Sequence, residues 1–338
     1  MPKAIREIAG VGPKELTDDI LTATQPIVLR GVAAGWPMVR AARESHEQGD
    51  AYLRRFYGDA ATGATVGAML GPPEAEGRFF YNEDMSGFNF YPVHAKLTGV
   101  LDEIRVKRDM ERPPTVYVGS TSVETCLPGF REHNDLDLGG RDALMSIWIG
   151  NRTRIPAHYD VPDNLACVAA GRRRFTLFPP EQLKNLYVGP LDFTPAGQSV
   201  SLVDFARPDF ERFPLFAEAL RHAQAAELEP GDALFIPSMW WHHVEGLEPF
   251  NILINYWWHQ SPAWMDTPAS TLSLALMTLR DLPPAQRAAW KEIFRHYVFD
   301  SDGGEAAHIP PAARHSLAQL DDDAARMLRA QILRRLNR

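Results

Sequence analysis

His158 and Asp160 stand two residues apart in Pro156-Ala157-His158-Tyr159-Asp160, and His242 follows far downstream in Pro237-Ser238-Met239-Trp240-Trp241-His242-His243-Val244. Along an extended strand, residues two apart point to the same face, so His158 and Asp160 can grip one ion from rigid backbone. A third ligand must then come from a neighbouring strand. His242 lies in a strand-like segment, Ala233-Leu234-Phe235-Ile236-Pro237 followed by Trp240 to Val244. The chain must therefore fold so that two strands distant in sequence lie side by side. Two imidazoles and one carboxylate on one side of an ion leave its other positions open, which is the ligand set of non-haem Fe(II) oxygenases. A lone His-x-Asp also arises by chance as a surface turn, so its weight depends on the surrounding chain.

That surrounding chain is β-rich. From Thr115 to about Trp258, short runs of strand-forming residues are separated by Gly and Pro, the pattern of a sandwich or barrel of antiparallel strands. Before it, residues 1–114 mix short α and β elements: a strand at Ile27–Arg30, a Gly35-Trp36-Pro37 turn, helical stretches near 40 to 57, and an amphipathic helix from Ala95 to Arg108. After Pro262 the pattern is helical, with Leu272, Leu276 and Leu279, then Trp290, Ile293, Phe294 and Tyr297, at helical spacing. A last helix runs from about Asp321 to Arg335, its acidic start and basic end complementing the helix dipole. Its apolar stripe of Ala325, Leu328, Ile332 and Leu336 fits an intramolecular core or the seam of a homodimer. The sequence thus divides into an N-terminal α/β region (1–114), a β core (115–261) and a C-terminal helical region (262–338).

Composition narrows the class of partner. With 338 residues, 45% hydrophobic and 23% charged, the chain reads as a globular protein with a sizeable core. A net charge of −8, with both signs interspersed, gives no electrostatic reason to expect a nucleic-acid or anionic-membrane partner. The two cysteines, Cys126 and Cys167, support neither a disulfide framework nor a structural zinc site and read as buried thiols. The N-terminus lacks the apolar stretch of a secretion signal, and no run reaches membrane-spanning length, so the expected location is the cytoplasm.

Beyond the triad, the segment Leu165 to Phe178 carries the most chemistry. It reads as a hairpin turning at Ala170-Gly171, after which Arg173, Phe175 and Leu177 share one face. That face is apolar apart from one charge. A guanidinium pointed into an interior is costly unless an anion meets it, so Arg173 predicts a buried carboxylate or phosphate partner, either an internal acid or a bound ligand, unless local twist turns it outward. Among ligands, 2-oxoglutarate fits: its keto-acid end can chelate a metal at two open positions while its far carboxylate reaches a basic side chain. Asn164 shares the parity of His158 and Asp160 if Pro162 does not break the strand. Asn255, in an otherwise apolar run, and Tyr117, in Pro114-Thr115-Val116-Tyr117-Val118, are further polar groups for such a cavity or ordinary core residues. The aromatic cluster Trp240, Trp241, Tyr256, Trp257 and Trp258 could shape a substrate cleft or simply fill the core. His243 falls on the opposite strand face from His242.

In these features the chain resembles the JmjC or cupin-like Fe(II) and 2-oxoglutarate-dependent oxygenases, and is most similar to the branch of the asparaginyl hydroxylase known as factor inhibiting hypoxia-inducible factor. The matching text includes Pro156-Ala157-His158-Tyr159-Asp160, Asn164, Leu177-Phe178-Pro179-Pro180, Val203-Asp204-Phe205, Pro230-Gly231-Asp232, Trp240-Trp241-His242-His243 and Asn255-Tyr256-Trp257, over roughly residues 115 to 260.

The resemblance implies a mainly β fold, a double-stranded β-helix (jelly-roll) core with flanking helices, and iron held by His158, Asp160 and His242. It implies 2-oxoglutarate bound by Arg173, Asn164, Tyr117 and Asn255, and hydroxylation of a protein or peptide side chain with release of succinate and carbon dioxide. Three positions depart from the branch. Arg173 replaces the usual Lys, Ile155 replaces a Thr three residues before the first His, and Ser199-Val200 stands where an Arg-Gln pair holds the target amide, with Gln198 one position earlier. Asparagine hydroxylation is therefore not carried over. The expected acceptor is a protein, a peptide or a small molecule, with no nucleic acid or membrane favoured. The alternatives are a metal-dependent cupin isomerase or dioxygenase that does not use 2-oxoglutarate, and a catalytically silent peptide-binding module.

Overall fold

The computed structural model describes residues 2–57 and 64–337. The chain divides into two compact units, Met1–Gln260 and Ser261–Arg338. In the first, the strands are β1 (Lys3–Ala4), β2 (Arg6–Ala9), β3 (Ile27–Arg30), β4 (Val66–Gly71), β5 (Tyr91–Ala95), β6 (Thr115–Ser122), β7 (Leu144–Gly150), β8 (Arg154–His158), β9 (Asp163–Ala170), β10 (Arg173–Phe178), β11 (Gln224–Leu228), β12 (Ala233–Ile236), β13 (Trp241–Gly246) and β14 (Asn251–Trp258). They form a nine-stranded sheet in the order β2-β3-β12-β9-β14-β7-β6-β4-β5 and a five-stranded sheet in the order β1-β11-β10-β13-β8. β1 with β11 and β2 with β3 pair in parallel; pairing through the centre of both sheets is antiparallel.

Strand periodicity decides what lies between the sheets. Ala166 and Val168 of β9, Leu234 and Ile236 of β12 and Leu253 of β14 meet Phe175 and Leu177 of β10, Leu228 of β11 and Val244 of β13 in one apolar layer. The alternate residues of the large sheet, among them Leu165, Cys167, Ile252, Ile254 and Tyr256, pack outward with Leu97, Val100, Leu101 and Ile104 of the helix Leu97–Lys107. With both faces covered, β9 is buried at all eight positions. This is the two-layer, helix-flanked jelly-roll architecture expected from the sequence. Cys126 and Cys167 are free and buried.

Two expectations need correction. Ala170-Gly171 does turn, with Gly171 at φ +70°, but β9 and β10 do not pair with each other. β9 lies between β12 and β14, and β10 between β11 and β13, so the turn is a sandwich corner rather than a hairpin. The second correction concerns the ligand strand, which ends at His158. Val161-Pro162 carries the chain across to the large sheet, because a proline offers no N–H to continue the ladder. Asp160 thus sits in a loop, and Asn164 belongs to β9 on the facing sheet.

In the second unit, helices cover Pro268–Thr278, Pro284–Phe294 and Asp322–Leu336, the last capped by the Asp321 carboxylate accepting from Ala324 N–H at 2.8 Å. Leu276, Leu279, Phe294 and Leu328 are half-buried, whereas Leu272, Trp290, Ile293, Tyr297, Ile332 and Leu336 are exposed. No helix among the described residues is long and apolar enough to cross a membrane.

Candidate active site

β8 and β13 are neighbours in the small sheet, and His158 stands directly opposite His242. Their rings lie 4.3 Å apart, centroid to centroid. Asp160 reaches the same point from its loop, placing Oδ2 3.5 Å from His242 Nε2. One potential ligand atom from each of the three lies within 4.8 Å of the other two.

The tautomers are fixed by backbone. His158 Nδ1 is 2.9 Å from Pro156 O, and His242 Nδ1 is 3.0 Å from Trp240 O. A carbonyl only accepts, so each Nδ1 carries a proton and each Nε2 is turned toward the shared point. Burial, reinforced by the neighbouring His242, pushes the His158 imidazole down to about 4. It is thus neutral at physiological pH. Burial works to raise the Asp160 carboxyl, but the hydrogen bond and charge of His242, with help from His158 and Asn164, outweigh it and hold the group below its usual range. Metal binding displaces any proton on an Nε2, and two imidazoles with one ionised carboxylate are the donor set a divalent ion requires, so the residues present fit a bound metal.

All seven residues singled out from the sequence line one cavity of about 370 Å³: Tyr117, His158, Asp160, Asn164, Arg173, His242 and Asn255. That volume lies in the usual range for small-molecule sites. Arg173 is 1% exposed, and its Nε and Nη2 are buried without a hydrogen-bond partner. Among the described residues no acid pairs with it, which favours the bound-ligand alternative over the internal acid. Desolvation holds the guanidinium below its ordinary value, and only the Tyr117 phenol offsets this. Burial in turn pushes Tyr117 up to about 12.

The amides form a chain across the large sheet. Trp148 Nε1 donates to Asn255 Oδ1 at 2.8 Å, Asn255 Nδ2 to Asn164 Oδ1 at 3.4 Å, and Asn164 Nδ2 to Asp160 Oδ2 at 3.5 Å. Trp148 also stacks on Tyr117 and meets Trp257 edge-on. Sequence reasoning missed Trp148. An indole in Leu144-Met145-Ser146-Ile147-Trp148-Ile149 reads as packing, and only its parity with Ser146 hinted at a polar surrounding.

The remaining wall is apolar: Met69, Phe79, Ile155, Pro195, Val200 and Trp257, with Gln198 and Ser120 as uncharged polar groups. Ile155, three residues before His158, also reaches the cavity. Ser199 does not reach it, and its hydroxyl donates to Pro190 O. Of the aromatic cluster, Trp257 lines the cavity, whereas Tyr256 and Trp258 pack on the outer face of the large sheet and Trp241 on the outer face of the small one. His243 also turns away from the cavity and packs 4.7 Å from Phe205.

A family model of the cupin-like domain matches residues 13–263. The chain belongs to that family. Among curated relatives, tRNA wybutosine-synthesizing protein 5 of Gallus gallus is 36% identical over 145 residues, covering 38% of this chain and 42% of the relative. HSPB1-associated protein 1 of Homo sapiens is 38% identical over 127 residues, covering 37% of this chain and 25% of the relative. The match to this chain thus spans less than half the length of either relative.

Proposed function

We propose that this cupin-like protein is an Fe(II)- and 2-oxoglutarate-dependent oxygenase that hydroxylates a protein or peptide side chain. His158, Asp160 and His242 would hold the iron, and Arg173, Tyr117, Asn164 and Asn255 the cosubstrate. When bound, the metal and the oxo-acid together supply the oxidising power that puts one oxygen atom of O₂ into a C–H bond while the oxo-acid becomes succinate and carbon dioxide. The chain's own part is binding, orientation and exclusion of water.

The observation that carries this reading is a buried guanidinium, paired with no acid among the described residues, in the same cavity as the triad. Arg173 offers a planar fork of donors, and a carboxylate seated against it relieves a desolvation that the Tyr117 phenol only partly offsets. Tyr117 adds a hydroxyl beside it, and burial keeps that phenol protonated and able to donate. The asparagine chain holds Asp160 in place, and the apolar wall keeps bulk water from the reacting end. A metal cupin that does not use 2-oxoglutarate has no need of Arg173, and a silent binding module has no need of two oriented Nε2 atoms.

The acceptor is proposed as a polypeptide or a small molecule. A relative's name mentions tRNA, but the net charge of −8 disfavours a polyanion here. The kinship with the asparaginyl hydroxylase branch belongs to the same proposal and rests on the quoted sequence. So does a homodimer through the C-terminal helices: exposed Trp290, Ile293, Tyr297, Ile332 and Leu336 give a second copy an apolar surface to cover.

Anaerobic addition of Fe(II) and then 2-oxoglutarate tests the reading. A weak visible charge-transfer band should appear only after the second addition and be lost in Arg173→Ala at the same concentrations. Metal uptake without any response to 2-oxoglutarate would favour the other cupin chemistry. No uptake at all would favour the binding module.

A further inference from the structure

The pairing of β8 with β13 is irregular beside the ligands. His242 faces His158 but Val244 faces Ile155, so β8 carries one extra residue between the two pairs. This bulge lets both Ile155 and His158 face the cavity, which plain alternation would forbid. Pro156, inside the bulge, has no N–H, and its carbonyl is taken by His158 Nδ1. The strand then stops at His158. Ladder hydrogen bonds alone therefore register His242 weakly against the loop that bears Asp160.

A second set of contacts lies just past the end of the ladder. Ser238 N–H donates to Asp163 Oδ1 at 2.9 Å, Ser238 Oγ donates to Val161 O at 2.5 Å, and Met239 N–H donates to Asp160 O at 2.9 Å. The other oxygen of Asp163 accepts from Gln260 Nε2 at 2.6 Å. Asp163 is 5% exposed. Its carboxylate thus joins the turn that enters β13, the chain that leaves β14 and the segment that follows Asp160. Met239 is held at φ +68°, a left-handed conformation that a residue with a side chain keeps only where its surroundings impose it. It is 40% exposed, so packing does not impose it, and the hydrogen bonds on either side of it do.

We infer that Asp163 is a positioning residue for the metal centre, latching the Pro237–Trp240 turn so that His242 meets His158 and Asp160. It acts through the loop and does not itself ligate the ion. The inference rests on the metal-site reading above.

Two readouts on the full chain test it: Co(II) affinity from visible absorption in an anaerobic titration, and amide hydrogen exchange over residues 237–241 in metal-free protein. Asp163→Ala should bind Co(II) about 10–100-fold more weakly and exchange faster over that segment. Asp163→Asn keeps an acceptor for Ser238 N–H and should stay within about threefold of the parent. Thermal stability alone does not decide the matter, since a merely structural role lowers it without moving the affinity of the folded protein. Unchanged Co(II) affinity in Asp163→Ala overturns the latch and leaves the metal site standing. A parent protein that takes up no Co(II) overturns the metal-site reading, and the latch with it. Where Asp163→Ala does not fold, Asp163→Ser decides: it keeps a polar group at the buried position but is too short to hold Ser238 N–H and Gln260 Nε2 together, so it should weaken Co(II) binding, and an unchanged affinity there overturns the inference.

Discussion

Arg173 is buried beside the Tyr117 phenol, and a neutral hydroxyl is the group set against its charge. A guanidinium in that position destabilises the empty protein and is retained at a cost to folding. Its placement follows from strand parity. Arg173, Phe175 and Leu177 point inward from β10, and the inner layer reaches the cavity at Arg173.

The first prediction follows from that cost. Arg173→Met should stabilise the metal-free protein by about 1–3 kcal/mol, because a similar volume of apolar side chain replaces an unpaired buried charge. The same substitution should raise the apparent KM for 2-oxoglutarate by at least about tenfold, since a charge-assisted pair is lost. Urea unfolding and cosubstrate titration read the two effects separately. A destabilised Arg173→Met protein would mean that the guanidinium has a stabilising partner within the chain.

Metal addition should raise the melting temperature. An ion present at a hundredfold excess over its Kd stabilises the folded state by about 2.7 kcal/mol. For a unit of this size that is a shift of roughly 5–10 °C, removed by a chelator. His158→Ala, Asp160→Ala and His242→Ala should each abolish the shift and turnover. A full metal-induced shift in any of the three would exclude that residue from the ligand set.

Much of this site was legible in the sequence because alternation along a strand is a strong local rule. Arg173, Asn255 and His242 each point where their parity with apolar neighbours places them. The rule fails where the chain leaves a sheet. Asp160 shares a cavity with His158 although no strand connects them, and Asn164 reaches it from the opposite sheet. Both depend on the crossing at Val161-Pro162, and a local pattern does not say to which sheet a strand belongs. The Ala170-Gly171 corner was misread for the same reason: a positive-φ glycine between two apolar runs looks alike in a hairpin and in a sandwich corner. Trp148 was missed because its indole donor meets Asn255, a partner distant in sequence that pairing of β14 with β7 brings into reach.

Acid should destabilise the metal-free protein through His243. Burial pushes this imidazole down to about 3, and its backbone hydrogen bond near Ile155 only partly opposes that. The unfolded chain titrates near 6.5. Between these values the unfolded state binds a proton that the folded state refuses, so stability is full above about pH 6.5 and falls as pH drops through the window. The slope is at most about 1.4 kcal/mol per pH unit for one group. His243→Gln should therefore shrink the stability difference between pH 7 and pH 5 by about 1–2 kcal/mol, measured by urea unfolding at both values. Some slope should remain, because His158 is shifted in the same direction. An unchanged difference would show that His243 does not carry the acid response.

Among the described glycines, the one at the sandwich corner leaves the least room for a small side chain. Gly171 sits at φ +70°, and a Cβ there would lie 2.3 Å from Asn251 Oδ1 and 2.5 Å from Phe250 O. Asn251 cannot easily withdraw, since it is fully buried and its amide donates to Asn151 O at 3.1 Å. Gly171→Ala should thus combine backbone strain with a clash and cost more than about 2 kcal/mol. Gly197 gives the control. It has φ +92° with nothing within 4 Å of the added carbon, so Gly197→Ala carries the strain alone, about 1–2 kcal/mol. Paired denaturant melts separate the two contributions. Equal losses would mean that the corner yields, and that β9 and β10 are held in their separate sheets by pairing alone rather than by a turn only glycine can make.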